Sequence, residues 1–287
     1  MQPNLLTIDL EEWFVVEALA GRFSIDDWHS LPSTLERNCM RLLRLLDRHD
    51  VHATFFVVGW SAERHPALMS RIEAAGHEIA CHSFGHRMVS RMTADEFRLD
   101  TRRAINAITE ATGVRPFGYR APSWSLSDRV PWAFEILAEL GFEYDSSIFP
   151  IKHDLYGMPN GPRELYRMRF GESRYLYELP ASTIRRWGQN LPIGGGGYLR
   201  HSPYWYTRHM IRRVNRSGRP VMVYMHPWEI GSDPPPVSGL SLLQRFRTYG
   251  STDTLEQKLD HLLTDFQFIP VIEYVRVATR QRIGFER

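Results

Sequence analysis

The segment HATFFVVGWSAERHPALMSRIEAAGHEIACHS, residues 52–83, has the pattern of a strand, a helix and a second strand. Residues 52–60 form a continuous run of apolar, β-branched and aromatic side chains, which is typical of a strand buried on both faces. Residues 62–76 then have apolar side chains at helical spacing and end in a glycine, and residues 77–83 are again strand-like. This order predicts a parallel βαβ unit.

The same alternation of strands and helices continues along most of the chain. The clearest helical signal combines Thr93 as N-cap, Glu96 as its capping-box partner and Gly113 at the helix end. Six or seven such units favour a barrel over an open sheet. The predicted strands are 4–13, 52–60, 77–83, 116–122, 142–148, 175–182 and 220–230, and the predicted helices are 32–49, 62–76, 93–113, 127–141, 203–217 and 252–266.

The composition fits a globular protein with a substantial core. The chain has 287 residues, of which 43% are hydrophobic and 24% are charged. Its net charge of +2 gives no reason to expect binding to nucleic acid. The start, MQPNLLTIDLEEWF, lacks the features of a signal peptide, and no apolar run is long enough for a membrane span. Two cysteines are too few for a disulfide framework, so we expect a cytoplasmic protein.

The domain organisation predicted from these patterns is simple. Residues 1–230 contain all the predicted βαβ units and form one barrel domain. The proline-rich segment 231–239 is the closest approach to a linker in the sequence. Residues 231–287 are therefore expected to be a short C-terminal extension that packs on the same domain.

Polar side chains gather at the ends of the predicted strands, where α/β barrels carry their chemistry. Residues two apart in a strand share a face, so Asp9 and Glu11 are expected to point together. Two histidines four residues apart prove little in a chain with 12 histidines. A set that also includes carboxylates at other strand ends is much less easily accidental. The candidate residues are Asp9, Glu11, His82, His86, Arg120, Asp145 and His226.

Five short motifs occur in the order found in the polysaccharide deacetylases of carbohydrate esterase family four, the NodB-homology enzymes. The chain resembles this family over residues 5–230, and the resemblance implies an α/β fold, a distorted (β/α)7 barrel. GGGGYLR and HPWEI look like the branch found in bacterial exopolysaccharide clusters associated with exosortase systems. The five motifs are TIDLEEW (7–13), HSFGH (82–86), GYRAPSWS (118–125), YDSSIFP (144–150) and MVYMHPWE (222–229).

The resemblance implies a site for one divalent metal ion. Two histidines and one carboxylate leave coordination positions open, as a catalytic site requires. Zinc is the first expectation, and cobalt, nickel or iron would suit the same ligands. The usual first motif has adjacent aspartates, but here Leu10 stands in the second place. We therefore assign Glu11, His82 and His86 as the metal ligands. Glu12 is the competing carboxylate, and the alternative for Glu12 is an exposed side chain at the strand end with no role in the site.

The family mechanism supplies roles for the other candidates. Asp9 corresponds to the base, held by Arg120, and His226 corresponds to the acid that protonates the departing amine, with Asp145 as its hydrogen-bond partner. The loop with Pro122 is expected to meet the oxyanion through a backbone N–H. Trp124, Tyr198, Trp228 and Trp187 are candidates for stacking on sugar rings, and core packing is the alternative for each. Cys81 is expected to be a buried structural thiol.

The resemblance implies a metal-dependent hydrolase that removes N-acetyl groups from N-acetylhexosamine units of a bacterial exopolysaccharide or its precursor. The alternative within the same superfamily is a C–N hydrolase of a small cyclic amide, as in allantoinases. A two-carboxylate glycosidase would not need the HSFGH motif, and a non-catalytic sugar-binding protein would be expected to lack Asp9 or His226. The expected partner is an N-acetylated glycan, with transient association at the inner face of the membrane if the substrate is lipid-linked.

Overall fold

A largely parallel sheet organises the chain in a computed structural model that describes residues 2–153, 156–231 and 235–283. Within these residues the strands follow the spatial order β10-β1-β2-β3-β4-β5-β7-β6, and β11 also pairs with β1. The β6–β7 pair is antiparallel, and β8 and β9 form a separate hairpin. The strands are β1 Asn4–Leu10, β2 Thr54–Val57, β3 Glu78–Cys81, β4 Gly118–Tyr119, β5 Tyr144–Asp145, β6 Tyr166–Phe170, β7 Arg174–Glu178, β8 Thr183–Arg186, β9 Gln189–Pro192, β10 Met222–Met225 and β11 Phe268–Ile269.

Helices connect the parallel strands, as the sequence predicts. The capping box of Thr93 and Glu96 is confirmed, and Gly113 ends that helix with a φ of 75°. The single helix predicted over 62–76 is wrong in detail, because Pro66 begins a second helix. The helices are α1 Leu35–Arg48, α2 Gly59–Arg64, α3 Pro66–Ala74, α4 Ala94–Thr112, α5 Trp132–Glu139, α6 Gly196–His201, α7 Tyr204–Asn215, α8 Leu242–Tyr249, α9 Leu255–Asp265 and α10 Val271–Ile283.

The expected α/β class with a parallel sheet is confirmed. Among the described residues the backbone ladder does not close into a ring, and side chains connect its two sides instead. The amide of Met222, at the start of β10, donates to the hydroxyl of Ser182, which follows β7, over 2.8 Å. Arg120 also reaches the backbone oxygen of Ser146 over 3.2 Å. A buried polar network thus connects the two sides through the interior.

The C-terminal part of the chain contributes to the same sheet. β11 pairs with β1 through Asn4 and Phe268, so the segment after residue 231 is joined to the first strand. The sequence pattern predicted 252–266 as the last helix, but α10 follows it. The first amides of α10 are capped from the sheet, since Val271 donates to Thr54 Oγ1 over 2.8 Å. In the described part of the chain, no helix combines the length and apolar character that a bilayer crossing requires.

β1 shows how the sheet separates core from site. All of its residues are buried, and Leu6, Ile8 and Leu10 lie in the main apolar cluster. Thr7 and Asp9 alternate with them and contact Arg120 on the other face. The strand period of two therefore delivers Asp9 to the interior of the site, and the chain beyond Leu10 delivers Glu11 to its edge.

Candidate active site

Glu11, His82 and His86 lie together just beyond the ends of β1 and β3. One potential ligand atom from each residue lies within 4.8 Å of the other two. Glu11 Oε2 is 2.7 Å from His86 Nε2 and 3.7 Å from His82 Nε2. The structure thus brings together the three residues that the sequence suggested as ligands.

Hydrogen bonds orient these donor atoms toward one another. His82 Nδ1 lies 2.7 Å from the backbone oxygen of Arg120, so the ring proton belongs on Nδ1 and the lone pair on Nε2. Trp228 donates its indole N–H to Glu11 Oε1 over 3.2 Å, which leaves Oε2 directed at the histidines. Burial raises the pKa of Glu11, but the charges of His86 and His226 and the histidine hydrogen bonds outweigh it and hold the pKa well below its usual value.

The HSFGH loop is held in an unusual backbone conformation by α4. Ser83 and His86 have positive φ angles of 60° and 50°, which side-chain-bearing residues rarely adopt. Asp100 accepts hydrogen bonds from the amides of Phe84 and Gly85 over 2.8 and 3.1 Å. Asp100 was not singled out from the sequence, because it lies on the following helix, α4, outside the motif that it holds. Its carboxylate fixes the turn that aims His86 at Glu11.

The donor set fits a divalent metal ion of the zinc type. Two imidazole nitrogens and one ionised carboxylate oxygen are suitable ligands, and three protein ligands leave room for water and substrate. Glu12 does not join them, since its carboxylate accepts a hydrogen bond from the amide of Thr34 over 3.3 Å. It is also buried, so the expectation of an exposed Glu12 was wrong. Glu11 is therefore the better placed of the two carboxylates.

Asp9 is held by a fully buried arginine. Arg120 Nη1 lies 2.5 Å from Asp9 Oδ1 and 2.9 Å from the hydroxyl of Thr7. The guanidinium lies between the rings of Phe56 and Trp124, at 3.9 and 4.8 Å from their centroids. The contact between Arg120 and Asp9 is the one that the sequence predicted. A tightly packed arginine fixes the direction of this carboxylate.

His226 lies on the opposite side of the cluster. Its Nε2 is 3.9 Å from Asp9 Oδ2 and 3.7 Å from Glu11 Oε1, and its ring stacks on Trp228. Its Nδ1 is 2.9 Å from Glu229 Oε2. Burial lowers the pKa of His226, but the carboxylates of Glu229, Glu11 and Asp9 outweigh it and raise the pKa to about 9. A cation bound beside Glu11 would oppose this increase.

The expected contact between Asp145 and His226 is wrong. Asp145 Oδ1 accepts a hydrogen bond from the hydroxyl of Ser147 over 2.5 Å, and Asp145 pairs with Glu178 across β5 and β7. Burial raises the pKa of Asp145 to about 6, and burial and the neighbouring Asp145 raise that of Glu178 well above its usual value. The carboxylate beside His226 is instead that of Glu229.

Glu229 is the site residue that the sequence interpretation missed. It ends a 3₁₀ turn, Pro227–Glu229, that directs its side chain back to the amide and the ring of His226. Its other oxygen, Oε1, lies 2.7 Å from Arg200 Nε, and both side chains are buried. The motif HPWE contained a signal for this contact. A glutamate three positions after the first residue of a turn can accept a hydrogen bond from the backbone amide of that residue. Arg200, Glu229 and His226 therefore form a continuous chain of charged contacts, an ion pair followed by a hydrogen bond.

A cavity of about 710 Å³ opens over these groups. Its size lies within the range of about 300–1,000 Å³ found for small-molecule sites. Of the substrate-contact candidates, Trp124, Tyr198 and Trp228 line it. Among the described residues, Pro122 and Trp187 are not part of the lining, and Trp187 is 81% exposed.

The turn that begins at Pro122 nevertheless reaches the cavity. Ala121 and Ser123 both line it, on either side of the proline. Ser123 and Trp124 have positive φ angles of 52° and 53°, so the backbone here is strained in two successive residues. Strained backbone of this kind is concentrated at ligand sites. The oxyanion role expected for this loop stays a prediction.

The fold and the side chains define a class of protein: an α/β protein with a largely parallel sheet, which carries a candidate metal-binding triad together with Asp9 and His226 at its strand ends. Residues 23–144 match the family described as polysaccharide deacetylase, and residues 146–276 match a domain of unknown function, DUF3473. Over residues 23–144 the chain is therefore similar to the polysaccharide deacetylases. Cys81 is a buried free thiol, and it lies outside the cluster of Glu11, His82 and His86.

Curated relatives show the same likeness over part of the chain. The peptidoglycan deacetylase of Helicobacter pylori is 31% identical over 140 residues, which is 46% of this chain and 47% of that protein. A peptidoglycan-N-acetylglucosamine deacetylase of Bacillus cereus is 31% identical over 96 residues, or 33% of this chain and 35% of that protein. The chain thus spans less than half of the length of either relative.

Solved structures support the fold. A protein described as a putative polysaccharide deacetylase from Mycobacterium smegmatis superposes with a TM-score of 0.62 at 22% identity, over 98% of this chain and 92% of that one. PuuE allantoinase superposes with a TM-score of 0.60 at 18% identity, over 96% and 89%. A family-four pseudoenzyme from Bacillus anthracis gives a TM-score of 0.52 at 17% identity, over 96% and 65%. The shared fold is therefore compatible with more than one activity.

Proposed function

We propose that this protein is a metal-dependent hydrolase that removes N-acetyl groups from N-acetylhexosamine units of a glycan. The observation that carries the proposal is the arrangement around Glu11: its carboxylate is 2.7 Å from His86, with the Arg120-held Asp9 on one side and the Glu229-held His226 on the other. Glu11, His82 and His86 would hold the ion. When bound there, a divalent cation would activate water and polarise the acetyl carbonyl.

In this mechanism Asp9 removes a proton from the attacking water. Its Oδ1 is held by Arg120 at 2.5 Å, so Oδ2 is the oxygen that is directed toward His226 and the cluster. The buried guanidinium holds the carboxylate in this orientation. The role assigned to Asp9 is therefore that of general base, with Arg120 as its positioning residue.

His226 completes the reaction by giving a proton to the departing amine. An amine leaves an amide only when it is protonated, so an acid is needed beside the scissile bond. The proton available to substrate is the one on Nε2, because Nδ1 is directed at Glu229. Glu229 stabilises the imidazolium and fixes the ring, and Arg200 fixes Glu229 in turn.

Release of acetate from N-acetylglucosamine oligomers tests the proposal. Protein purified without chelator and supplied with zinc is expected to release acetate and to leave free amino groups in equal amounts. Quantifying acetate and amine in the same sample gives this ratio. Ring opening of allantoin without acetate release would instead identify the alternative, a cyclic-amide hydrolase, and absence of acetate from all N-acetylated glycans would contradict the deacetylase proposal.

Replacing Glu229 with glutamine is expected to slow amide hydrolysis more than ester hydrolysis. The substitution keeps the shape but removes the charge that stabilises protonated His226, and a charge-assisted hydrogen bond is worth about 1.5–3 kcal/mol, or about 10- to 100-fold in rate. An aryl acetate ester has a leaving group that needs no proton. Steady-state kcat on the two substrates gives the comparison.

Asp145→Asn is the matched control for this measurement. Asp145 is buried as Glu229 is, but it contacts Ser147 and Glu178 rather than His226. It should leave the ratio of amide to ester turnover unchanged. Equal losses on both substrates in Glu229→Gln would show that Glu229 has a structural role only.

The sequence also suggests a finer substrate. The likeness of GGGGYLR and HPWEI to the exosortase-associated branch supports a bacterial exopolysaccharide, or its lipid-linked precursor at the inner face of the membrane. That assignment would place the protein in the cytoplasm. Comparing acetate release from a lipid-linked precursor and from the finished polymer tests this finer assignment separately from the chemistry.

A further inference from the structure

Tyr224 lies on the interior face of β10, two residues before His226. Side chains two apart in a strand share a face, so Met222 and Tyr224 point to the same side. Met222 Sδ lies 3.0 Å from Arg120 Nη2, which places this face against the buried polar network. Tyr224 lines the same cavity as Glu11, yet it is only 6% exposed. The strand therefore delivers a tyrosine to the inner part of the candidate active site.

The glycine segment 194–197, GGGG, packs its backbone against the Tyr224 ring. The amide of Tyr224 donates to the backbone oxygen of Gly194 over 3.0 Å, and Gly195 forms a parallel bridge with Tyr224. A Cβ at Gly195 would overlap the carbons of the ring, so only glycine permits this close approach. Gly194 and Gly196 also have positive φ angles of 85° and 49°. The glycines of the GGGGYLR motif thus determine where the Tyr224 ring lies.

Aromatic rings enclose Tyr224 on its other sides. Its ring centroid is 5.0 Å from that of Trp124, with the planes at 65°, and 6.5 Å from that of Phe149, with the planes at 86°. The ring of His226 lies 6.3 Å away at 87°. A side chain that is packed in this way keeps one orientation before a ligand binds. The position of the Tyr224 hydroxyl is therefore fixed.

The hydroxyl of Tyr224 has no hydrogen-bond partner among the described residues. It lies beside Gly196, another residue of the cavity wall, where a Cβ would be 3.3 Å from Oη. Leaving a buried polar group unpaired costs free energy of folding, and a hydrogen bond to a bound ligand removes that cost. The geometry thus provides a fixed hydroxyl that a ligand can use.

This hydroxyl is a hydrogen-bond donor at neutral pH. Burial raises the pKa of Tyr224 well above its usual value, and neighbouring groups that include Glu229 and Asp9 raise it further. The neutral phenol can donate its proton in a hydrogen bond, so an acceptor oxygen of the ligand is a suitable partner.

The acyl oxygen of the substrate is the acceptor that fits this position. Tyr198, on the same cavity wall, is 40% exposed, so Tyr224 lies further inside the cavity. The reacting carbonyl must lie beside Asp9, and the Asp9 carboxylate is close enough to Tyr224 to act on its hydroxyl. A sugar that enters through the mouth carries the acetamido group ahead of it into the inner part of the cavity.

We propose that Tyr224 is a further catalytic residue, whose hydroxyl donates a hydrogen bond to the acyl carbonyl oxygen. As Asp9 takes a proton from water and the water oxygen bonds to the carbonyl carbon, the π electrons of the C=O bond move to the carbonyl oxygen. The hydrogen bond strengthens as this negative charge develops. The C=O bond re-forms when the C–N bond breaks and the amine leaves with the proton from His226. The inference rests on the proposed function and adds a side-chain donor to the backbone N–H expected from the Pro122 turn.

Tyr224→Phe removes only the hydroxyl. In the metal-loaded protein with the N-acetylglucosamine tetramer, kcat is expected to fall by about 10²- to 10³-fold, with KM little changed. Hydrolysis of an aryl acetate ester should slow to a similar extent, because both reactions place negative charge on the carbonyl oxygen. The melting temperature should stay the same or rise, because the hydroxyl has no partner in the free protein.

Tyr144→Phe is the matched control. Tyr144 is a fully buried tyrosine of β5 whose hydroxyl donates to Glu78 over 2.7 Å, and it is not among the described residues that line the cavity. Its replacement should lower the melting temperature, because a buried hydrogen bond is lost. It should leave kcat within a few-fold of wild type on both substrates.

Calorimetric binding of acetate to the metal-loaded protein gives a second readout that does not depend on turnover. Acetate presents a charged oxygen to the same donor, so Tyr224→Phe should weaken its binding about 10- to 100-fold, and Tyr144→Phe should not. That result would support the role of Tyr224 even if the wild-type protein released no acetate from glycans, which would contradict the proposed function alone.

Unchanged kcat and acetate affinity in Tyr224→Phe, in a protein whose wild type is active, would overturn the assignment and leave the proposed function intact. An increase in KM for the tetramer with unchanged kcat would also overturn it, because the hydroxyl would then bind the sugar rather than the reacting acyl group.

Discussion

Replacing His82 with alanine is expected to remove the divalent ion from the protein and to abolish acetate release. The two ligands that remain in the variant are too few to hold the ion that three ligands would bind in the wild-type protein. In the wild-type protein, the hydrogen bond from His82 Nδ1 to the backbone oxygen of Arg120 orients Nε2 for metal binding. Elemental analysis after gel filtration should give about one ion per wild-type chain and little in the variant. Chelation of the wild-type protein should abolish activity, and added zinc should restore it.

A pair of glutamine variants tests which glutamate is the ligand. Glu11→Gln should reduce metal occupancy, because the carboxylate that lies 2.7 Å from His86 would lose its charge. Glu12→Gln is the matched control: Glu12 is also buried, but it accepts from the amide of Thr34 and lies outside the cluster. Full occupancy in His82→Ala, or loss of metal in Glu12→Gln alone, would contradict the assignment.

The sequence predicted the regular part of the fold because its signals are long and repeated. The βαβ unit of residues 52–83 and helix α4 with its capping box have enough residues for periodicity to be read. β4 and β5 lie within the predicted strands 116–122 and 142–148 but have only two residues each, and β11, also of two residues, was not predicted. They are strands only because neighbouring strands supply their hydrogen bonds, which a local pattern does not report.

The predicted strand ends were wrong where apolar side chains continue beyond the last backbone hydrogen bond of the strand. The run predicted as a strand over 220–230 contains only the four-residue β10, and a 3₁₀ turn begins at Pro227. Proline has no amide hydrogen, so the ladder cannot continue through it. The same turn reverses the direction of Glu229, which is why the partner of His226 was not evident from strand alternation.

The candidate site shows a similar division. Strand alternation and motif order were sufficient to predict that one site contains Asp9, Glu11, His82, Arg120 and His226. The carboxylate partner of His226 and the anchor of the HSFGH loop depend on turns and on contacts between distant segments. Asp100 reaches the loop from α4, and Arg200 reaches Glu229 from α6. Asp100 and Arg200 were identified only from the assembled fold.

Replacing Asp9 with asparagine is expected to lower kcat by about 10²- to 10⁴-fold, the usual contribution of a positioned general base. The asparagine oxygen can still accept a hydrogen bond from Arg120, but the amide cannot take a proton from water. Arg120 keeps its contacts with Thr7 and the backbone oxygen of Ser146, so the interior network is retained in part. Metal occupancy and KM should remain close to those of the wild-type protein, and rapid-quench and steady-state measurements give kcat and KM.

Asp9→Asn is also expected to reduce the stability of the fold, and this effect must be measured separately from the loss of kcat. An arginine left without its charged partner in the interior destabilises the fold by about 3–5 kcal/mol, so the melting temperature of Asp9→Asn should fall. Thr7→Val is the matched control, because it removes another hydrogen bond to Arg120 over 2.9 Å without touching the base. It should also lower the melting temperature while kcat stays within a few-fold of wild type. If Asp9→Asn retained wild-type turnover, a different group would accept the proton from water, and Glu12, which is directed toward Thr34, could not be that group without a change in the fold.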